Sequence, residues 1–355
     1  MNNHSFFSRT TAKVASLVVI CFALIALVGK VNPLVAQQRY LLSLSKGDHI
    51  LAIIDPTSFK ILARVPVGND PHEIIASEDG RTAYVTITGG GRSSEINVID
   101  VVAQKALPNI DTRPLIGPHG ITVADGKVWF SAEGAKAVGR YNPSTKTVDW
   151  SMGTGENRTH MIYVTADAKR IYTTNVNAGT VSILVDTLIA PSPGPMGNPP
   201  PGAMPRSEWI HTVVPVSIGA EGFDVSPDGK QLWTAAAGDG SISIINLNTK
   251  KEIYKLDAHV EGVNRLKFTP DGKRVLVSSL RLGDLFVFDV ATHKEIKRIP
   301  IGHGGSGILV DTDGLRAFVG CTPDNYVAVI NLKTLELSDK ISIAGPDGLA
   351  WAVVK

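Results

Sequence analysis

The sequence predicts an all-β fold: a single seven-bladed β-propeller of four-stranded antiparallel blades over residues 37–355. Three observations carry this. A strand pattern recurs at intervals of 41 to 47 residues, with one interval of 61, and a repeat of roughly 40–50 residues is the signature of propellers. Within each period, two alternating strands flank a tight turn, a third strand ends on Asp or Asn, and a fourth closes the unit. The C-terminal segment is a lone first strand, while the N-terminal part supplies three strands that lack one.

In chain order, the first residues read as a targeting segment. Arg9 and Lys13 precede an apolar run from Val14 to Val28, and VNPLVAQQ follows. This is the pattern of a secretory signal peptide over residues 1–36, with Ala36 as the last residue before cleavage. An uncleaved anchor is the other reading, but its apolar core falls short of the ~20 residues that span a bilayer. No stable membrane insertion is expected after cleavage, and the location expected is periplasmic, secreted or cell-surface. Removing Arg9, Lys13 and Lys30 from 35 basic residues leaves 32 against 33 acidic ones. The mature chain therefore lacks the basic excess of a nucleic-acid binder, and no nucleic-acid partner is expected. Cys21 lies in the leader, so Cys321 has no partner for a disulfide, and no C-x-x-C-H haem motif is present.

The repeats follow. PHEIIASEDGRTAYVTI, EGFDVSPDGKQLWTAA, NRLKFTPDGKRVLVSS and SGILVDTDGLRAFVGC each join two alternating strands through Asp-Gly. Val, Ile and aromatic residues at period two suit half-buried strands, and Asp-Gly suits hairpin turns. Asp55, Asp100, Asp186, Asn246, Asp289 and Asn331 end the third strands. Their recurrence marks them as turn residues rather than catalytic acids. The stretch 190–206, APSPGPMGNPPPGAMPR, accounts for the long interval and is expected as an insertion in blade 4, extended and outside the sheet. The final GPDGLAWAVVK completes the blade begun by RYLLSLS, HILAIID and FKILARVPV, which removes the ring's open edges.

One position at the start of every first strand falls on the same rim of the central channel. It reads His72, His119, His160, Glu221, Asn264, Ser306 and Asp347 through blades 2 to 7 and then blade 1. All seven are polar, and three adjacent blades offer imidazoles, so this column is the candidate ligand-binding site. His119, His160 and Glu221 are the candidate acid–base groups, and His72, His119 and His160 the candidate ligands of a divalent metal ion. Pro71, Pro118, Pro346, Gly120, Gly222, Gly307 and Gly348 beside the column suit close backbone approach. Glu133, Asn175, Asp239, Arg281 and Asp324, in loops between second and third strands, belong to the same face, and Glu73, Arg158 and Arg265 flank the column. Cys321 reads as a packed thiol.

AYVTITGGGRSSEINVIDVVAQK, RIYTTNVNAGTVSILVDT and SPDGKQLWTAAAGDGSISIINLNTKK, with the recurring PVG and PIG endings, resemble the YVTN-repeat β-propellers, exported proteins of prokaryotes. The resemblance covers residues 38–355. Blade 3, PHGITVADGKVWFSAEGAKAVGRYNPSTKTV, resembles the repeats of streptogramin (virginiamycin B) lyases, and none of that enzyme's catalytic residues transfers to positions here. Fold does not fix function. The reading preferred is an exported, monomeric binding protein that holds a small ligand, a metal ion or a protein partner at the channel mouth. The alternatives are a metal-assisted lyase or lactonase using rim His and Glu, and a structural cell-surface repeat protein with an idle rim.

Overall fold

The computed structural model describes residues 38–192 and 202–355, together with Met1, Gly197 and Pro199. The expected leader and the centre of the Pro-rich insertion lie outside the described residues. Among those described, no helix is long and apolar enough to cross a membrane.

Seven four-stranded antiparallel sheets follow one another along the chain. Blade 2 shows the plan: Pro71–Ala76, Thr82–Ile87, Glu95–Asp100 and Lys105–Asp111, each paired with the next. The third strand of a blade is buried over much of its length, and the fourth is mostly exposed, as YVAVIN and ELSDKIS show in blade 7. Apolar side chains therefore pack between neighbouring blades. One such cluster joins Leu51 and Ile53 of blade 1 to Val85 and Ile99 of blade 2.

Blade 1 is closed as expected: Pro346–Val354 pairs antiparallel with Gln38–Ser45, from Gln38↔Val354 to Ser45↔Pro346. The turn role of the repeated Asx residues also holds. Asp55 Oδ1 accepts the amides of Thr57 and Ser58 at 2.9 and 2.7 Å, and Asn331 Oδ1 those of Lys333 and Thr334 at 2.9 and 3.1 Å. Asp186 is the exception and corrects the expectation. Its strand continues to Ile189, paired along Arg206–Pro215, so the insertion rises from the tip of a hairpin longer than its neighbours.

Candidate functional site

In all seven blades, pairing between first and second strands breaks where the first strand starts, as between Pro71 and Ile74 or Pro118 and Ile121. Each rim residue of the column lies inside that irregular stretch, a bulge that re-aims a side chain. Second-strand hydroxyls then hold the backbone. Thr86, Ser131, Thr174 and Ser278 each donate to the rim carbonyl of the following blade: His119, His160, Glu221 and Ser306. The same four hydroxyls accept the amides of Glu73, Gly120, Met161 and Arg265 in their own blades. Gly120, Gly222, Gly307 and Gly348 are explained by crowding. A Cβ would lie 2.5 to 2.7 Å from the next blade's rim carbonyl at Gly348, Gly222 and Gly120, and closer still at Gly307.

The column is polar yet not wet: His119, His160, Asn264, Ser306 and Asp347 are all buried. Two residues ahead of the column, every blade adopts a left-handed backbone. Five blades use glycine there (Gly117, Gly219, Gly262, Gly304 and Gly345), but blade 2 uses Asp70 at φ 60° and blade 4 uses Arg158 at φ 62°. Asp tolerates this region, whereas a long side chain is held there at a cost of roughly 1–2 kcal/mol.

Asp70 reaches an imidazole directly, and Arg158 reaches the two carboxylates that flank another. Asp70 Oδ1 lies 3.0 Å from His72 Nε2, and this contact holds the Asp70 carboxyl well below its usual range. Lys46 Nζ sits 2.8 Å from the same nitrogen and 3.0 Å from Asp347 Oδ2. Arg158 Nε lies 3.1 Å from Glu133 Oε1, and its Nη1 3.5 Å from Glu221 Oε1. On the far side, Arg265 is buried against Glu73, with Glu221 Oε2 at 3.8 Å.

Between these groups the three imidazoles form a stepped stack. Ring centroids are 4.7 Å apart from His72 to His119 and 3.9 Å from His119 to His160. Burial first, then the neighbouring imidazoles of His160 and His72, push His119 well below its usual pKa. No hydrogen bond reaches its ring among the described residues, and Nδ1 is shut away from solvent. Burial works against a charge on His160 too, but the carboxylates of Glu133 and Glu221 outweigh it and raise its pKa. Glu133 Oε1 lies 2.5 Å from His160 Nδ1. Glu221 Oε2 approaches Nε2 to 2.8 Å, a close charged contact that leaves Nε2 buried without a well-aligned hydrogen bond. Burial alone would raise Glu221; the His160 ring reverses that and brings it to about 2.

A cavity of about 350 Å³ opens above the stack, and His72, His119, His160, Glu221, Asn264, Ser306 and Asp347 all line it. Of the other sequence candidates, Glu133, Glu73, Arg158 and Arg265 join the network. Asn175 is buried and bonds Thr180 and Ser182, Asp239 bonds Ser217 and Ser241, and Asp324 pairs with His303; none of these three, nor Arg281, lines the cavity. Cys321 is fully buried, and burial pushes its thiol up to about 12, as befits packing rather than reactivity. Sequence reasoning missed Lys46 and Asp70. Lys46 occupies in blade 1 the loop that yields Glu133 in blade 3, so the same repeat logic applied to blade 1 finds it.

No family model matches the sequence, and no curated protein matches it. Solved structures do. The Kuenenia stuttgartiensis hydrazine synthase aligns with a TM-score of 0.63 at 16% identity, covering 79% of this chain and 89% of that one. A functionally unknown protein from Desulfotomaculum acetoxidans aligns at 0.70 and 12% identity over 90% and 100% of the two chains. A Bacteroides uniformis protein provisionally named a 6-phosphogluconolactonase gives 0.69 and 15% over 89% and 99%. At such identities the likeness is one of fold.

Proposed function

We propose that this chain is an exported propeller of the YVTN-repeat kind whose task is to bind a ligand in the channel mouth, over His72, His119, His160 and Glu221. One observation carries the reading. At a position where five blades place glycine, blades 2 and 4 keep Asp70 and Arg158 in a left-handed backbone, and both side chains engage the histidine network. Left-handed turns at Phe59, Lys146 and Leu335 serve only the scaffold, so what supports binding is that Asp70 and Arg158 spend their side chains on a polar, open-topped cluster. Asn264, Ser306 and Asp347 complete the wall. Residues 1–36 act as the export signal, and the mature protein works as a monomer outside the cytoplasm.

A second reading has its own observation. His160 lies between Glu133 and Glu221, an acid–base arrangement that opens on the cavity and suits proton transfer in a lyase or lactonase. The deciding experiment is native mass spectrometry and N-terminal sequencing of the protein purified from its own host. A mature start near Gln37 and a co-purifying ligand are expected, with the ligand lost when His72, His119 and His160 are replaced together by alanine. A triple variant that retains the ligand as well as wild type places the site elsewhere. Turnover of lactones by wild type but not by Glu221→Gln would move the protein to the second reading.

A further inference from the structure

The unpartnered nitrogens at the floor of the cavity point to a specific occupant. An imidazole that ligates a metal gives its other N–H to a carboxylate, which fixes the tautomer and turns the free lone pair toward the ion. His160 is arranged in this way: Nδ1 is engaged by Glu133, itself held by Arg158, which leaves Nε2 as the nitrogen that a metal ion would take in exchange for a proton. Nε2 is buried without a directed partner, and Glu221 Oε2 lies 2.8 Å from it. That is close to the separation of about 3 Å between two donors sharing one ion at about 2.0–2.2 Å. His119 stacks beside this pair with no hydrogen bond to its ring among the described residues. Donor atoms of His119, Glu133 and His160 all lie within 4.8 Å of one another, and Glu221 meets this group through His160 Nε2.

Charge points the same way. The linked ion pairs hold Lys46, Arg158 and Arg265 against Asp70, Glu73, Glu133, Glu221 and Asp347. Three cations against five carboxylates give the rim an acidic excess among these side chains, which suits a cation.

Resting on the reading of the mouth as a binding site, we infer that His119, His160 and Glu221 hold one divalent ion of the Zn²⁺ or Cu²⁺ class, with Glu133 as the carboxylate that orients His160. Two nitrogen donors and one oxygen suit those ions, while Ca²⁺ or Mg²⁺ asks for oxygens. His72, the third member of the expected histidine set, is taken up by Lys46 and Asp70 and is not a ligand. Three protein donors leave one position facing the cavity, so the ligand of the mouth is one with an anionic oxygen or nitrogen that completes the ion's sphere.

The test uses the mature chain stripped with a chelator, titrated with Zn²⁺ by calorimetry and with Co²⁺ by visible absorption. One ion per chain is expected, with intense Co²⁺ d–d bands of four-coordinate geometry. His119→Ala and Glu221→Gln each lower affinity at least about 100-fold, and Glu133→Gln lowers it about 10- to 100-fold. His303→Ala, which removes an exposed imidazole paired with Asp324, leaves binding unchanged. Glu221→Gln keeps the side-chain shape, so it decides the matter if His119→Ala fails to fold. Absence of stoichiometric binding, or affinity unmoved by Glu221→Gln and His119→Ala, overturns the inference. A metal-free protein that still carries its native ligand fails this inference alone; one with neither fails the binding reading as well.

Discussion

The rim has two arcs with the same backbone and opposite uses of their side chains. In blades 2 to 5, His72, His119, His160 and Glu221 present nitrogen and oxygen to the cavity, and two of those nitrogens have no directed partner. In blade 7, Ser306 occupies the same place, yet its hydroxyl bonds the carbonyls of Gly320 and Pro346 at 3.1 Å each. It ties blade 7 to the next blade, as second-strand hydroxyls do in blades 2, 3, 4 and 6, though through the carbonyl of Pro346 rather than that of the rim residue Asp347; blade 7 has Gly320 at that second-strand position, where a Cβ would lie 2.6 Å from Ser306 Oγ. Equivalent position sets where a side chain stands. Whether its polar atoms are consumed by the scaffold decides whether it can bind anything.

The strongest break in this comparison is removal of Pro346–Lys355, which takes away Asp347 and reopens blade 1. Both arcs should fail together, with cooperative unfolding lost or the melting temperature lowered by roughly 10 °C or more, because an unpaired edge runs the length of Gln38–Ser45. A truncated protein that melts like the full chain sinks the closure. Next in size, Gly307→Ala should cost about 1–3 kcal/mol in denaturant unfolding, since the methyl meets the Asp347 carbonyl, a backbone atom that cannot step aside. Ser306→Ala should cost about 1 kcal/mol and leave Zn²⁺ affinity untouched. A variant that loses metal but not stability would erase the division between the arcs. The smallest stability effect belongs to Arg158→Gly. Relief of the left-handed backbone offsets the lost ion pairs and glycine's entropy, so unfolding should shift by less than about 1 kcal/mol either way. Ligand retention in the mouth should nonetheless fall several-fold; retention equal to wild type would make Arg158 an ordinary surface residue.

The scaffold was legible because its signals are local and repeated: alternation, Asp-Gly, and Asx at the end of each third strand. The rim column was legible for the same reason, as an address shared by seven blades. Its burial was not, because a rim in a propeller is expected to be solvated, and only the hydroxyl ladder and the glycines beside the column draw His119 and His160 inward. Nor was the split among the histidines. His72 and His160 look alike in sequence, but Lys46 and Asp70 take one while Glu133 and Glu221 take the other, across loops up to 61 residues from the imidazole they serve. The misjudged Asp186 has a similar cause, since a turn residue in a standard hairpin becomes a strand residue when the hairpin is lengthened.

The crowding beside the column has an arithmetic consequence. The residue after each rim position alternates around the ring: Gly348, Glu73, Gly120, Met161, Gly222, Arg265, Gly307. Each glycine admits the carbonyl of the next blade's rim residue, and the full-sized residues stand between. An even ring could carry that alternation without a fault, but seven is odd, so two like neighbours must meet somewhere. They meet as glycine beside glycine at blades 7 and 1, the second of them on the C-terminal strand that closes the ring. That sector puts no side chain from this position toward the axis, while Glu73 and Arg265 join hands across it from blades 2 and 6. Parity alone thus gives a nearly sevenfold object a front and a back.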